Sequence, residues 1–320
     1  MEPKAGSKKL RVGVLMGGWS TERAVSLVSG GMVAEGLRAA GFTPVPLDLR
    51  AADRRERKLA ARLKAARLDA AFIALHGGWG ENGGAQELLG RLRIPYTGSG
   101  PLACGLAMQK ACAKLVFEAN RIPTAPWQAL ERKADNGRRG REVSLAPPLV
   151  VKPADGGSAI GVSILRDRRG LDAALALAFK TSRWVLVEKF IAGMEVTAGV
   201  LEGKALPLIE IVPKNDFYDY DAKYTPGRST HILPARLSAR TAKKVRALAL
   251  AAGKALGCRD FYRVDVIVPK KGDPQVLEVN TVPGMTATSL FPEAAAKAGT
   301  PFPKLLKRLV ALALGRKGRD

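Results

Sequence analysis

The sequence predicts a mixed fold, α/β at its N-terminal end and α+β beyond about residue 100. Three observations predict it. Short apolar runs alternate with helical patterns from Arg11 to Leu75, as in a parallel sheet covered on both faces. Two glycine-rich loops, "GGWSTER" (17–23) and "HGGWGENGG" (76–84), follow two of those runs, and such sheets bind ligands beyond the carboxyl ends of their strands. From residue 194 onward the chain turns strand-rich.

The elements follow in order. "RVGVLMGG" (11–18) is an apolar run ended by Gly-Gly, a buried strand. "STERAVSLVSGGMVAEGLRAAG" (20–41) reads as a helix capped by Ser20 or Thr21 and stopped by Gly41. "FTPVPLDL" (42–49) is a strand whose prolines place it at an edge. A basic helix at 53–67 and the strand "AAFIAL" (70–75) complete the first region. A helix near 101–120 precedes "IPTAPW" and a basic polar loop. "PPLVVKPADGGSAIGVSIL" (147–165) then reads as strand, glycine loop, strand. A helix near 170–180 and the strand "WVLVEKFIAG" (184–193) follow. The strands "MEVTAGVLEG", "ALPLIEIV", "YRVDVIV" and "QVLEVN" come next, then helices at 238–257 and 302–314 flank or follow them. The polar connection at 213–230 is long for a compact domain, a sign of function or disorder.

Composition bounds the function. Three cysteines without paired spacing argue against a disulfide framework. No run approaches the ~18 apolar residues of a spanning helix, and the start lacks a signal-peptide core. A cytoplasmic protein with no membrane partner is the expectation. Two histidines, His76 and His231, leave little room for a histidine-rich zinc site or a Ser-His-Asp triad. Fifty-two Lys and Arg against 29 Asp and Glu give a net charge of +23, which attracts polyanions. The basic clusters at 50–67, 132–141 and 315–319 admit two readings: a nucleic-acid or anionic surface, or solvated helix faces, a loop and a tail. No aromatic interleaving accompanies them, which favours the second.

"YRVDVIV" and "QVLEVN" flank "PKKGDP", a turn composition. A hairpin centred on Lys271-Gly272 sets 265 opposite 278. Arg263, Asp265, Glu278 and Asn280 then project from one face. Val264, Val266, Leu277 and Val279 are expected to bury the other. Two carboxylates and an amide are hard oxygen donors suited to Mg²⁺, which keeps waters and shares substrate phosphates. A solvated polar sheet face is the competing reading.

Lys152 stands on a strand end just before Gly156-Gly157-Ser158. Glycines allow backbone N–H groups close to an anion, and lysine adds a point charge. The loop matches neither GxxxxGK[ST] nor GxGxxG, and a plain hairpin turn explains it equally well. Lys110, which opens "KACAKLVFEAN", reads by itself as an exposed helical residue, and Lys223 reads as a loop residue.

Eight blocks in order give the chain a family resemblance: "GGWSTERAVS", "ALHGGWGENG", "YTGSG", "KPADGGSAIGVS", "EKFIAGMEVT", "FYDYDAKY", "RVDV" and "EVNTVPGMTATSL". From residue 11 to about 295 the chain resembles D-alanine–D-alanine ligases of the ATP-grasp superfamily. The resemblance implies a Rossmann-like N-terminal domain (1–98), a small ATP-grasp domain (99–192) and a C-terminal ATP-grasp catalytic domain (193–320). It implies ATP-dependent joining of two D-alanine molecules, with ATP between the last two domains, two Mg²⁺ ions (Mn²⁺ as a substitute) and a homodimer. Asp265, Glu278 and Asn280 would hold the metal ions. Lys110, Lys152 and Lys223 would bind phosphates. Glu188, Lys189 and Ile191 would line the adenine pocket, and Glu195 would hold the ribose. Glu22 would receive the first substrate's ammonium, linked to Ser158 and Tyr224, with His76 alongside. Arg263 and the Gly284 N–H would form the oxyanion hole, and Ser289 and Leu290 would meet the second substrate.

The chain departs from the family pattern at Ala159 and Val282, where serines are usual, and at Asn82, where aspartate is common. Tyr224 favours the dipeptide over a D-lactate depsipeptide. Two alternatives stand beside this reading. One is an ATP-grasp ligase with a different amino-acid preference. The other is a nucleic-acid-binding protein on the same scaffold.

Overall fold

The computed structural model describes residues 9–133, 139–213 and 229–316. The chain divides into two compact units, one of residues up to Pro101 with Val282 onward, the other Leu102–Thr281.

The first unit holds a three-stranded parallel sheet ordered β2-β1-β3, with β1 Arg11–Gly17, β2 Thr43–Leu49 and β3 Ala70–Ile73. The parallel pairing agrees with the sequence reading, and the proline-bearing β2 lies at an edge. Helices α1 (Arg23–Ala39), α2 (Glu56–Ala65) and α3 (Gly84–Arg91) belong to this unit. A core of Leu15, Leu49, Ile73, Leu88 and Val282 is sealed from water. Val282 packs there with 5% of its surface exposed, so a methyl-bearing side chain fits where the family pattern has a hydroxyl. Two helix expectations need correction. The first helix has Glu22 rather than Ser20 or Thr21 at its N-cap position, without a side-chain capping bond; Ser20 Oγ accepts from the Glu22 N–H at 3.2 Å and donates to His76 O at 2.5 Å. The basic helix starts later, at Glu56, after a short 3-10 turn over Ala51–Arg54.

The second unit has two sheets. One is four-stranded, β4-β7-β5-β6: β4 Trp127–Glu131, β5 Leu149–Pro153, β6 Ser163–Leu165 and β7 Trp184–Lys189. Helix α6 (Leu171–Phe179) covers it over a core of Leu149, Val151, Leu175 and Val187. The other runs β11-β10-β8-β12-β13, with β9 pairing β8. Its strands are β8 Gly193–Leu201, β9 Lys204–Ala205, β10 Ile209–Pro213, β11 Ser229–Ile232, β12 Phe261–Pro269 and β13 Gln275–Asn280. Helix α7 (Ala239–Ala255) buries Val245, Ala249 and Ala252 against Val200, Val264 and Val266.

The helix expected near 101–120 is two helices, α4 (Pro101–Met108) and α5 (Lys110–Ala119). Gln109 is extended at the break, and the Lys110 N–H bonds to Ala154 O at 2.8 Å instead of continuing a helix. Strand β4 falls in a segment the sequence presented as "IPTAPW" and loop. The last helices, α8 (Leu290–Lys297) and α9 (Phe302–Gly315), belong to the first unit.

The β12–β13 hairpin has the register deduced from its turn: Arg263 faces Asn280 and Asp265 faces Glu278. Beyond Asp265 the register slips, and Val266 pairs with Val276. Leu277 is therefore the unpaired residue of a β-bulge. It is half-buried and lines a cavity, whereas Val264, Val266 and Val279 are in the core. The expectation that Leu277 shares their buried face is corrected by that bulge.

Candidate active site

In the second unit, residues of both sheets line one cavity of about 420 Å³. Lys110, Lys152, Glu188, Glu195, Asp265 and Glu278 are on its wall, with Ser158, Lys189 and Ile191. The break before α5 starts that helix at Lys110. Its ammonium donates to Gly156 O at 2.5 Å and lies 3.5 Å from Glu278 Oε2. Only 11% of its side chain is exposed, so the reading as an exposed helical residue is overturned. Lys110 joins the glycine loop to strand β13.

Within that loop Ser158 (φ 51°) and Ala159 (φ 59°) are left-handed, a strained conformation for residues with a Cβ and one found at ligand-binding turns. They form a tight turn in which the Ile160 N–H bonds to Gly157 O at 3.2 Å, on the loop that lines the cavity. Ala159 keeps that backbone without the hydroxyl.

Lys152 pairs with Glu188 across β5 and β7 at 2.6 Å. Glu188 is 3% exposed. Burial pushes its carboxyl upward, but the ammonium groups of Lys152 and Lys114 prevail and hold it below the usual range. Glu195, on β8, faces Ile211 and Ile267 on the neighbouring strands.

Asp265 is fixed by three donors. Thr197 Oγ1 donates to Oδ1 at 2.6 Å. Arg263 donates to Oδ1 from Nε at 2.9 Å and to Oδ2 from Nη2 at 2.7 Å. Glu278 is its cross-strand partner and Asn280 lies two residues on, on the same face. Among the described residues no three His, Cys, Asp or Glu gather into a metal cluster; the donor set here is the carboxylates of Asp265 and Glu278 with the amide of Asn280. Two carboxylates and an amide fit Mg²⁺, a hard cation that retains waters and takes phosphate oxygens.

The first unit carries the remaining candidates. Glu22 sits at the start of α1, 7% exposed, where the helix dipole favours a carboxylate. Gly77 (φ 67°) lies against it, and a Cβ there would collide with Glu22 Oε2. His76 is buried, with Nε2 2.9 Å from Ser29 Oγ and Nδ1 3.4 Å from Glu81 Oε1. Asn82 Oδ1 accepts from the Gly84 N–H at 3.1 Å, a task a carboxylate could equally perform. Gly284 lies beside Ser289, whose Oγ would crowd any Cβ there at 2.7 Å. Ser289 precedes α8 and accepts from the Thr286 N–H at 2.9 Å. Leu290 opens that helix and is buried. Lys223 and Tyr224 lie outside the described residues.

The sequence reading missed Thr197 and Lys114. Thr197 meets Asp265 only because β8 pairs with β12, a long-range pairing no local pattern reveals. Lys114 had a faint signal: it lies four residues after Lys110, on the same helix face.

The matching family model is described as "D-ala D-ala ligase C-terminus" and spans residues 116–311. The chain is 48% identical over 306 residues to a D-alanine–D-alanine ligase of Geotalea uraniireducens, covering 96% of each chain. It is 47% identical over 320 residues to that of Pelotomaculum thermopropionicum, covering 97% of this chain and 98% of the relative. Two crystal structures of the Bacillus anthracis D-alanine–D-alanine ligase, one complexed with ATP, superpose with a TM-score of 0.83 at 37% and 35% identity. They cover 97% of this chain and 99% of theirs.

Proposed function

This chain belongs to the D-alanine–D-alanine ligase family, and we infer that it joins two D-alanines into D-alanyl-D-alanine at the expense of ATP. The product is a peptidoglycan precursor. The observation that carries the reading is the cavity whose wall combines Lys110, Lys152, Glu188, Asp265 and Glu278. Its two sheets are the lobes of an ATP-grasp fold. Three functional parts, 1–98, 99–192 and 193–320, are proposed because each contains one whole sheet; within the third, the stretch from Val282 onward is compact with the first unit.

A carboxylate is a poor electrophile. The first D-alanine's carboxylate oxygen therefore attacks the γ-phosphorus of ATP, ADP leaves, and an acyl phosphate forms. The second D-alanine's amine attacks its carbonyl carbon, loses a proton, and inorganic phosphate leaves. Lys110 and Lys152 supply point charges to the phosphates. Asp265, Glu278 and Asn280 are the proposed holders of Mg²⁺ (two ions, Mn²⁺ as a substitute), which when bound neutralises phosphate charge. Glu188, Lys189 and Ile191 take the adenine and Glu195 the ribose. Glu22 is the acceptor for the first ammonium, with His76 in the same unit; Ser158 keeps the role the resemblance implies. Arg263 and the Gly284 N–H are the donors for the tetrahedral oxyanion. Ser289 and Leu290 meet the second substrate. Lys223 and Tyr224 keep the roles the resemblance implies. A homodimer in the cytoplasm belongs to the same proposal; among the described residues no helix is long and apolar enough to cross a membrane.

The test is phosphate release from ATP and Mg²⁺ with a panel of D-amino acids. D-alanine should stimulate release, and a panel without any stimulating member defeats the reading. Glu278→Ala should abolish turnover; normal turnover at ordinary Mg²⁺ would remove Glu278 from the metal site.

A further inference from the structure

Lys114 is the one lysine buried among the described residues, 1% exposed, and the chemistry above gives it no task. It does not line the cavity. Its ammonium donates to Thr124 Oγ1 at 2.6 Å and to Ala125 O at 3.1 Å, and forms an ion pair with Glu188 Oε1 at 2.7 Å. Burial without such partners is costly for a charge, so the site is built around this ammonium.

The other oxygen of Glu188 is 2.6 Å from Lys152 Nζ. One carboxylate is thus bracketed by two ammonium groups, one behind the cavity wall and one on it. Thr124 Oγ1 in turn donates to Val276 O at 2.9 Å, on the strand that carries Glu278 and Asn280. Lys114 therefore ties α5, β7 and β13 together at the back of the pocket.

Lys152 is paired with Glu188 at 2.6 Å, and as the sole cation there it would carry the whole balance of that buried carboxylate. With Lys114 present, Glu188 is balanced from behind, and Lys152 has less opposing charge to satisfy. An ionised carboxylate only accepts hydrogen bonds. It suits a base edge bearing an amino group and opposes one bearing a carbonyl oxygen, since two acceptors would then meet.

We propose that Lys114 is a positioning residue that keeps Glu188 an oriented acceptor and leaves Lys152 available to phosphate, making the pocket select adenine over guanine nucleotides. The proposal rests on the cavity being the nucleotide site. It assigns Lys114 to nucleotide recognition and no part of D-alanine binding to it.

The test titrates ATP and GTP in the presence of Mg²⁺ and absence of D-alanine, with melting curves to verify folding. The variants are Lys114→Gln, which drops the charge but keeps a donor, and Thr124→Val, which leaves every charge in place. Lys114→Gln should weaken ATP by about tenfold or more, the worth of a charged hydrogen bond, with little effect on GTP, so that discrimination falls. Thr124→Val should weaken ATP severalfold in the same direction. D-alanine KM should move little in either. Folded variants with unchanged ATP affinity and unchanged ATP-to-GTP ratio overturn the proposal. So does a uniform loss across ATP, GTP and D-alanine, which marks a structural role. If Lys114→Gln does not fold, the ratio in Thr124→Val decides. A wild-type protein that binds no nucleotide defeats the parent reading instead.

Discussion

Thr197 and Asp265 are direct cross-strand partners, 2% and 6% exposed. The threonine hydroxyl gives Asp265 a donor within the sheet, so the carboxylate is aimed before a ligand arrives. Groups that orient metal ligands in this way commonly contribute about ten- to hundredfold in metal affinity. Thr197→Val preserves shape and removes the donor, and should weaken Mn²⁺ binding to the isolated protein by that order; Thr197→Ser should retain it. Electron paramagnetic resonance of free Mn²⁺ reads the affinity directly, and an unchanged value in Thr197→Val would show that Asp265 is oriented without it. At this scale the sequence was informative where partners are close along the chain. Arg263, Asp265, Glu278 and Asn280 follow from one turn and a period of two. Thr197 and Lys114 depend on strand β8 and strand β7 arriving from elsewhere, and Leu277 depends on a bulge that register arithmetic assumes away.

Among the elements, the 3-10 turn Arg139–Glu142 shows how a charged loop is locked onto a sheet. Arg139 is 5% exposed and lies over the Phe179 ring at 5.3 Å. Its Nε and Nη2 donate to both oxygens of Glu142 at 3.0 and 2.7 Å. Arg139 beside Glu142 thereby pulls that carboxyl from 4.5 down to about 2. A depressed carboxyl stabilises the fold above its unfolded value and loses that contribution as pH falls. The window is therefore from 4.5 down to about 2. Glu142→Gln should lower the melting temperature at neutral pH, and the gap to wild type should close across that window. A gap independent of pH would show that the pair contributes nothing by ionisation. The sequence marked 132–141 as a basic loop, because composition does not distinguish the buried Arg139 from an exposed arginine. The same limit hid β4 and the break before α5. In the latter an apolar helical pattern runs through Gln109, and only the bond from Lys110 to Ala154 interrupts it.

Across the whole chain the unexplained quantity is charge. A net +23 exceeds what a few phosphate-binding lysines require. Charge acts at range, so a polyanionic substrate meets an attractive field before it meets the pocket. That field is screened by salt: the screening length contracts from ~30 Å at ~0.01 M to ~3 Å at ~1 M. Lys110 and Lys152 are largely buried, so the phosphate contacts proposed for them are screened less than the exposed cations that build the field. Raising ionic strength should therefore lower kcat/KM for ATP while leaving kcat nearly constant and kcat/KM for D-alanine, which carries no net charge, nearly flat. Steady-state kinetics in a non-coordinating salt separates the three. A flat kcat/KM for ATP would mean the excess charge has no part in capturing the nucleotide. A steep salt-dependent affinity for DNA or RNA, measured on the same protein, would then move the surface cations to a second partner, because buried cations cannot reach a nucleic-acid backbone and exposed ones can.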